Sequence, residues 1–66
     1  MITVMDLAET IDFFTKYRIE LIHGDTGKSE TVCIPRYPDE IPEMYRDVVV
    51  DSLRIENNTL VIEICI

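Results

Sequence analysis

Apolar residues recur at helical spacing near the start of the chain. They are Val4, Leu7, Ala8, Ile11 and Phe14. This spacing of three to four residues predicts an amphipathic helix that ends near residue 14 or 15. Thr3 and Asp6 have the spacing of a capping box, in which a hydroxyl and a carboxylate each accept a hydrogen bond from a free backbone N–H group. The pair predicts that the helix begins at Thr3.

Alternation of apolar and polar residues then predicts a first hairpin. One strand runs over about residues 17–21 and its partner over about residues 29–34. Gly24 and Gly27 lie in the loop between them, where glycine tolerates the positive φ of a turn. Pro35 ends the second strand because proline has no N–H to donate to a ladder.

A second hairpin closes the chain, with Asn57 and Asn58 at a two-residue turn that requires positive φ. The expected cross-strand pairs are Ile55 with Leu60 and Leu53 with Ile62. The same register sets Asp51 opposite Ile64 on the apolar face, a conflict that a β-bulge or a frayed strand start would relieve.

The crossover between the hairpins covers residues 35–47. Pro42 there predicts the first position of a short helical turn that ends near Arg46. The whole chain, residues 1–66, is expected to form a single α+β domain: an N-terminal helix packed on a small antiparallel sheet of about four strands.

One short helix cannot cover both faces of such a sheet. Val32, Val50 and Val61 are assigned to the face opposite the helix, and exposed apolar surface tends to mark an interaction site. A homo-oligomer that buries these valines is therefore expected. The alternative is a poorly covered face that solvent reaches.

Charge narrows the choice of partners. Thirteen acidic residues against six basic ones give a net charge of −7, which disfavours binding to nucleic acid and favours basic protein grooves. Asp6, Glu9 and Asp12 are expected on the exposed face of the helix as a candidate acidic contact. The alternative is that they serve solubility.

Little in the sequence indicates catalysis or a metal. His23 is the only histidine, and Asp25-Thr26-Gly27, although it matches the triplet of aspartic proteases, lies where a hairpin turn is expected. Cys33 and Cys65 are predicted to be free buried thiols. We expect no enzyme activity, no cofactor and no metal site.

The chain also lacks the apolar run of a membrane span and the basic start of a signal peptide. No membrane association is expected. The predicted location is the cytoplasm.

The crossover carries the residue types that dominate interfaces. Arg36, Tyr37, Tyr45 and Arg46 combine stacking area with directed hydrogen bonds, so they are the candidate contact for a partner or ligand. The alternative is that the tyrosines cap the core and the arginines balance nearby acids.

Residues 41–47, together with the strand positions and the Asn57-Asn58 turn that follow them, resemble the second half of small uncharacterised proteins of phages and prophages of Gram-positive bacteria. Thr3-Val4 and Asp25-Thr26-Gly27 are similar too, whereas residues 35–38 depart from the pattern. The resemblance implies a phage protein acting in the host cytoplasm, and small acidic phage proteins often resemble anti-defence factors.

Three hypotheses follow. The first is an interaction protein that binds and inhibits a host defence factor. The second is a homo-oligomer that sequesters a small nucleotide-like signalling ligand, and the third is a structural accessory protein.

Overall fold

The structure, a computed structural model, describes residues 1–11 and 15–65. Its elements are, in chain order, helix α1 (Val4–Ala8), strands β1 (Lys16–Ile22) and β2 (Ser29–Cys33), a 3-10 turn (Pro38–Glu40), helix α2 (Glu43–Arg46) and strands β3 (Ser52–Glu56) and β4 (Thr59–Cys65). The strands form one sheet in the order β2-β1-β4-β3. The predicted α+β fold, with a helix ahead of two hairpins, is confirmed.

A parallel strand pair joins the two hairpins. β1 pairs antiparallel with β2 and β3 with β4, as predicted, whereas β1 and β4 run parallel from Lys16–Thr59 to Ile22–Cys65. The sheet is therefore mixed, where the sequence predicted an antiparallel one. A hairpin pattern specifies only its own two strands, and the docking of the hairpins depends on the crossover between β2 and β3.

Helix α1 begins where the sequence predicted. The Thr3 hydroxyl accepts a hydrogen bond from the backbone N–H of Asp6 at 3.2 Å, and the Asp6 carboxylate accepts one from the N–H of Thr3 at 3.4 Å. Both bonds of the capping box are thus present.

The helix is shorter than predicted. It ends at Ala8, and turns follow over residues 9–11. The Thr10 hydroxyl and backbone N–H both donate to the carbonyl of Leu7, a local bond that competes with helix continuation. Phe14 lies outside the described residues.

The core lies between α1, the crossover and one face of the sheet. Its buried members are Val4, Ala8, Tyr17, Ile19, Leu21, Ile41, Ile62 and Ile64. Ile41 comes from the crossover, between the 3-10 turn and α2, and is almost fully buried. The predicted helical turn at residues 43–46 is confirmed, although Pro42 precedes its first residue.

The β3–β4 turn follows the prediction. Asn57 and Asn58 have φ values of 50° and 62°, in the left-handed region that a two-residue hairpin turn requires. The pairs are Ile55 with Leu60 and Leu53 with Ile62, as expected.

The conflict at Asp51 is resolved because β3 starts at Ser52, so Asp51 lies just before the strand. Asp51 still donates its backbone N–H to the carbonyl of Glu63, at 2.8 Å. The chain before it leaves the sheet, and Val49 bridges Thr3 at the start of α1. A frayed strand start therefore keeps the Asp51 carboxylate exposed.

Candidate binding site

β1 is longer than the part of it that β2 covers. The β1–β2 ladder starts at the pair Ile19–Cys33, so residues 16–18 have no strand neighbour on that side in the described part of the chain. Pro35 follows closely after β2 and cannot extend the ladder, because it has no backbone N–H. The chain diverges from β1 at this point.

The divergence opens a cleft of about 550 Å³, which we call the β1 cleft. Residues 15–18, at the start of β1, line it together with residues 34–37, which follow β2, and Thr59 of β4 also contributes to the lining. Its volume falls in the range of small-molecule sites, roughly 300 to 1,000 Å³. Ile34 and Tyr37 are both exposed, so apolar and aromatic surface is available at its mouth.

Cations concentrate at the β1 cleft. Lys16, Arg18 and Arg36 line it, which is half of the six basic residues in an acidic chain. None of the described lining residues is a carboxylate. Arg18 forms ion pairs with Glu20 and Glu56. Lys16 and Arg36 form no ion pair with the described residues. The cleft therefore suits a negatively charged group.

Tyr17 brings a buried hydroxyl to this site. Its side chain is almost fully buried, and Tyr17 Oη has no hydrogen-bond partner among the described residues. Burial raises the pKa of the phenol, and the nearby Cys33, Glu40 and Asp39 raise it further. Tyr17 thus stays protonated at neutral pH and keeps a hydrogen bond to donate.

Two of the four predicted contact residues, Arg36 and Tyr37, lie at the β1 cleft. The Glu40 carboxylate accepts hydrogen bonds from the backbone N–H groups of both. Glu40 belongs to the 3-10 turn that follows, so this turn holds the Arg36-Tyr37 backbone in place. These bonds restrain the backbone at Arg36 and Tyr37, which lowers the entropic cost of ordering the loop on binding.

The other two, Tyr45 and Arg46, lie apart from the cleft and support the crossover. Arg46 donates from Nε to the carbonyl of Ile41 and from a terminal nitrogen to that of Asp39, both at 2.9 Å. Tyr45 is half-buried against the core. The predicted group of four residues is therefore divided between a cleft and a structural support.

Two of the three residues of the predicted acidic face, Asp6 and Glu9, are exposed. Asp6 is bonded within the capping box, and Glu9 lines a second cavity of about 230 Å³, which Tyr17, Arg36 and Tyr37 also line. Asp12 lies outside the described residues.

The sheet face opposite the core carries a charged network, the Arg–Glu layer. Its members are Arg18, Glu20, Arg54, Glu56 and Glu63. Arg18 Nε lies 2.6 Å from a Glu20 oxygen, and Arg54 reaches Glu20, Glu56 and Glu63 at 3.3, 3.1 and 2.9 Å. The hydrogen bond from Arg18 is the main cause of the lowered pKa of Glu20, and Arg54 is the main cause of the lowered pKa of Glu56.

The Arg–Glu layer explains the position of Val61. Val61 lies between Arg18 and Arg54 in the strand register and is 0% exposed. Arginine stems readily cover apolar surface while their charged ends stay in water. The oligomer prediction assumed that Val61 lies on an open apolar face. In the structure, Val61 is covered instead.

Val32 and Val50 do not join Val61. Both pack against the core on the helix side, Val32 at an irregularity in the β1–β2 ladder. The structure does not bring the three valines together on one exposed surface. Exposed apolar side chains lie instead on β3, at Leu53 and Ile55.

The remaining candidates lie at the first hairpin or on the sheet. His23 Nε2 is 2.9 Å from a Glu30 oxygen, and both side chains are exposed. Asp25-Thr26-Gly27 forms the hairpin turn, as predicted, with Gly27 at φ 72°. Cys33 is half-buried and Cys65 is exposed, so the prediction of a buried thiol is wrong for Cys65.

The described residues contain neither a metal-binding cluster nor a membrane-spanning helix. No group of three or more His, Cys, Asp or Glu side chains there is arranged to hold a metal ion. No described helix is long and apolar enough to cross a membrane.

Comparison of the chain with family models, curated proteins and solved structures returned no match.

The sequence did not indicate Lys16, Tyr17 and Arg18 as cleft residues, because Tyr17 and Arg18 are assigned to an ordinary paired strand and Lys16 to no element. The sequence signal for the cleft is Pro35, which limits β2 to a shorter strand than β1.

Proposed function

We propose that this chain is a small non-catalytic interaction protein that uses the β1 cleft to bind a host protein and inhibit it. The observation that carries the proposal is the cleft itself, a concave site with aromatic walls and three cations in a protein of net charge −7. Tyrosine and arginine are typical of interaction hot spots. The resemblance to phage proteins supports a host factor as the partner.

The experiment compares proteins that the tagged chain retains from a Gram-positive host with those retained by two variants. Arg36→Glu combined with Tyr37→Ala changes the cleft, whereas Lys28→Glu makes the same charge reversal in the exposed loop at the opposite end of β1. We expect one partner to be lost only with the cleft variant, and the purified partner to lose activity when the chain is added.

Melting curves of the variants accompany this experiment as the folding control. Equal retention of the partner by all three proteins would contradict the proposal. So would binding to a purified partner whose activity does not change.

A second candidate function is sequestration of a small nucleotide-like ligand. The volume of the β1 cleft, its cations and Tyr37 favour it, since tyrosine stacks on bases and arginine binds phosphate. Calorimetric titration with nucleotides tests it, and Arg36→Glu should abolish any heat of binding.

Self-association is a separate proposal, now with β3 as the surface. Leu53 is 50% exposed and Ile55 79% exposed on this edge strand, and exposed apolar edges favour pairing between chains. A mass measurement in solution should show a dimer or larger oligomer that Ile55→Lys converts to a monomer. A monomeric mass for the unmodified chain would contradict it.

A further inference from the structure

We infer that the β1 cleft receives an extended acidic segment of the partner protein, added as a strand along residues 16–18 of β1. This inference rests on the proposed function and names the chemistry of the partner. In strand addition, main-chain hydrogen bonds supply affinity and side-chain pockets supply specificity.

The unfinished ladder is the first observation. β1 begins at Lys16, but β2 covers it only from Ile19 onward, so the outer edge of residues 16–18 has no strand neighbour among the described residues. Sheet edges of this kind are templates for pairing with another chain. Pro35 prevents the chain's own β2 from filling the gap.

The cleft walls distinguish this edge from the β3 edge of the sheet. The β3 edge carries Arg54 and Glu56, whose charges are paired with each other and with the neighbouring strands. The β1 edge instead faces residues 34–37 across a cleft of about 550 Å³. A strand added there gains walls on two sides, with Ile34 and Tyr37 available for its apolar side chains.

The positive charge of the β1 cleft favours an acidic segment of the partner protein. Lys16 and Arg36 lie on opposite walls of the cleft without an ion-pair partner among the described residues. Tyr17 also lines the cleft, but its hydroxyl is buried, so the charge preference rests on the two cations.

Two acids, Glu40 and Glu9, lie near Arg36. The Glu40 carboxylate, however, accepts hydrogen bonds from the backbone N–H groups of Arg36 and Tyr37, and Glu9 lines the second cavity. Interactions beyond about 8 Å are largely screened at physiological salt, so the remaining acids of the chain that lie farther away contribute little at the cleft.

The test uses short synthetic peptides in which Glu or Asp alternates with Val, Ile or Tyr, followed by amide exchange and calorimetry. We expect the best peptide to slow exchange of amides within residues 16–18 and not within β3. Arg36→Glu should weaken it about tenfold or more, because a like charge replaces an attraction, whereas Lys28→Glu should change it less than about twofold.

Two N-methylated versions of that peptide isolate the main-chain bonds. Only alternate N–H groups of a strand face one neighbour, so methylation at odd or at even positions should abolish binding in one version and spare it in the other. Equal binding by both versions would overturn strand addition, as would protection of β3 in place of β1.

ATP serves as a probe that distinguishes a small nucleotide-like ligand from a peptide as the occupant of the β1 cleft. Perturbation of cleft amides by ATP with no peptide binding would overturn the inference in favour of a small ligand. If no acidic peptide binds while the Arg36→Glu, Tyr37→Ala variant still loses the protein partner, strand addition fails and the proposed function stands. If the partner is retained by the cleft variant, the proposed function fails independently.

Discussion

The two faces of the sheet are covered in different ways, and β4 shows the difference within two residues. Ile62 faces α1 and the crossover and lies in an apolar core. Val61, its neighbour, faces the other way under the Arg–Glu layer, and both residues are 0% exposed. An apolar residue on the outer face of a small sheet is therefore not a sign that the face needs a second chain.

The apolar core and the Arg–Glu layer differ in their contribution to the free energy of unfolding as well as in composition. Apolar burial contributes about 25 cal/mol per Å², without direction, and tolerates no voids. Ion pairs near the surface each contribute little, typically below about 1 kcal/mol, and depend on salt and pH. The helix side should therefore dominate stability, while the Arg–Glu layer should make stability sensitive to solution conditions.

The largest expected effect is on the helix side. Ile62→Ala should lower the free energy of unfolding by about 2 to 5 kcal/mol, since it leaves a cavity in the core. A domain of this size has only a few kcal/mol in total, so the variant is expected to be largely unfolded. Val61→Ala should cost less, because it removes fewer atoms and the arginine stems can relax. Circular dichroism without denaturant reports the folded fraction of each variant, and denaturant titration gives the loss for Val61→Ala. A Val61→Ala variant as unfolded as Ile62→Ala would contradict the comparison.

Glu20 is the next test, on the opposite face. Its side chain is only 7% exposed and contacts both arginines, so Glu20→Gln should lower the free energy of unfolding by about 1 to 3 kcal/mol. Glu30→Gln is the matched control, since Glu30 is exposed and pairs only with His23 among the described residues. A Glu20→Gln variant as stable as the control would show that the layer contributes nothing.

Acid should weaken the Arg–Glu layer selectively. The pKa values of Glu20 and Glu56 are lowered in the folded protein, so both carboxylates stabilise it above their ordinary pKa of 4.5, and this contribution is lost as pH falls through the folded values. Unfolding free energies measured from neutral pH to below 4.5 should fall less steeply for a Glu20→Gln, Glu56→Gln double variant. Parallel profiles would refute the assignment.

Tyr17→Phe should have the smallest effect. It removes a buried hydroxyl that has no partner among the described residues, so the free energy of unfolding should stay within about 1 kcal/mol or rise slightly. Thermal melting checks this. A larger loss would mean that the hydroxyl has a partner.

Much of the fold could be predicted because its signals are local. The capping box at Thr3, the turn at Asn57-Asn58 and the β3–β4 register depend on residues within a few positions of each other. Such signals work because backbone geometry at turns and caps admits few residue types. The helix length was overestimated because the apolar spacing continued past Ala8, where the chain turns.

The candidate site could be predicted only in part. Arg36 and Tyr37 were recognised from their residue types, but Tyr45 and Arg46, which have the same types, lie apart from the cleft. Residue type does not reveal whether an arginine bonds to nearby carbonyls, as Arg46 does, or lines a cavity. That distinction depends on where the crossover places its backbone.

The sequence by itself determined the class of fold, the two hairpins and the point at which Pro35 ends β2. These follow from dihedral limits and side-chain periodicity, which act over a few residues. Only the tertiary structure decided that β1 and β4 run parallel and that arginine and glutamate side chains cover Val61. It also decided that residues 16–18 face an open cleft. Each of these features involves residues that are far apart in the chain. Their energies therefore depend on how the two hairpins pack against each other.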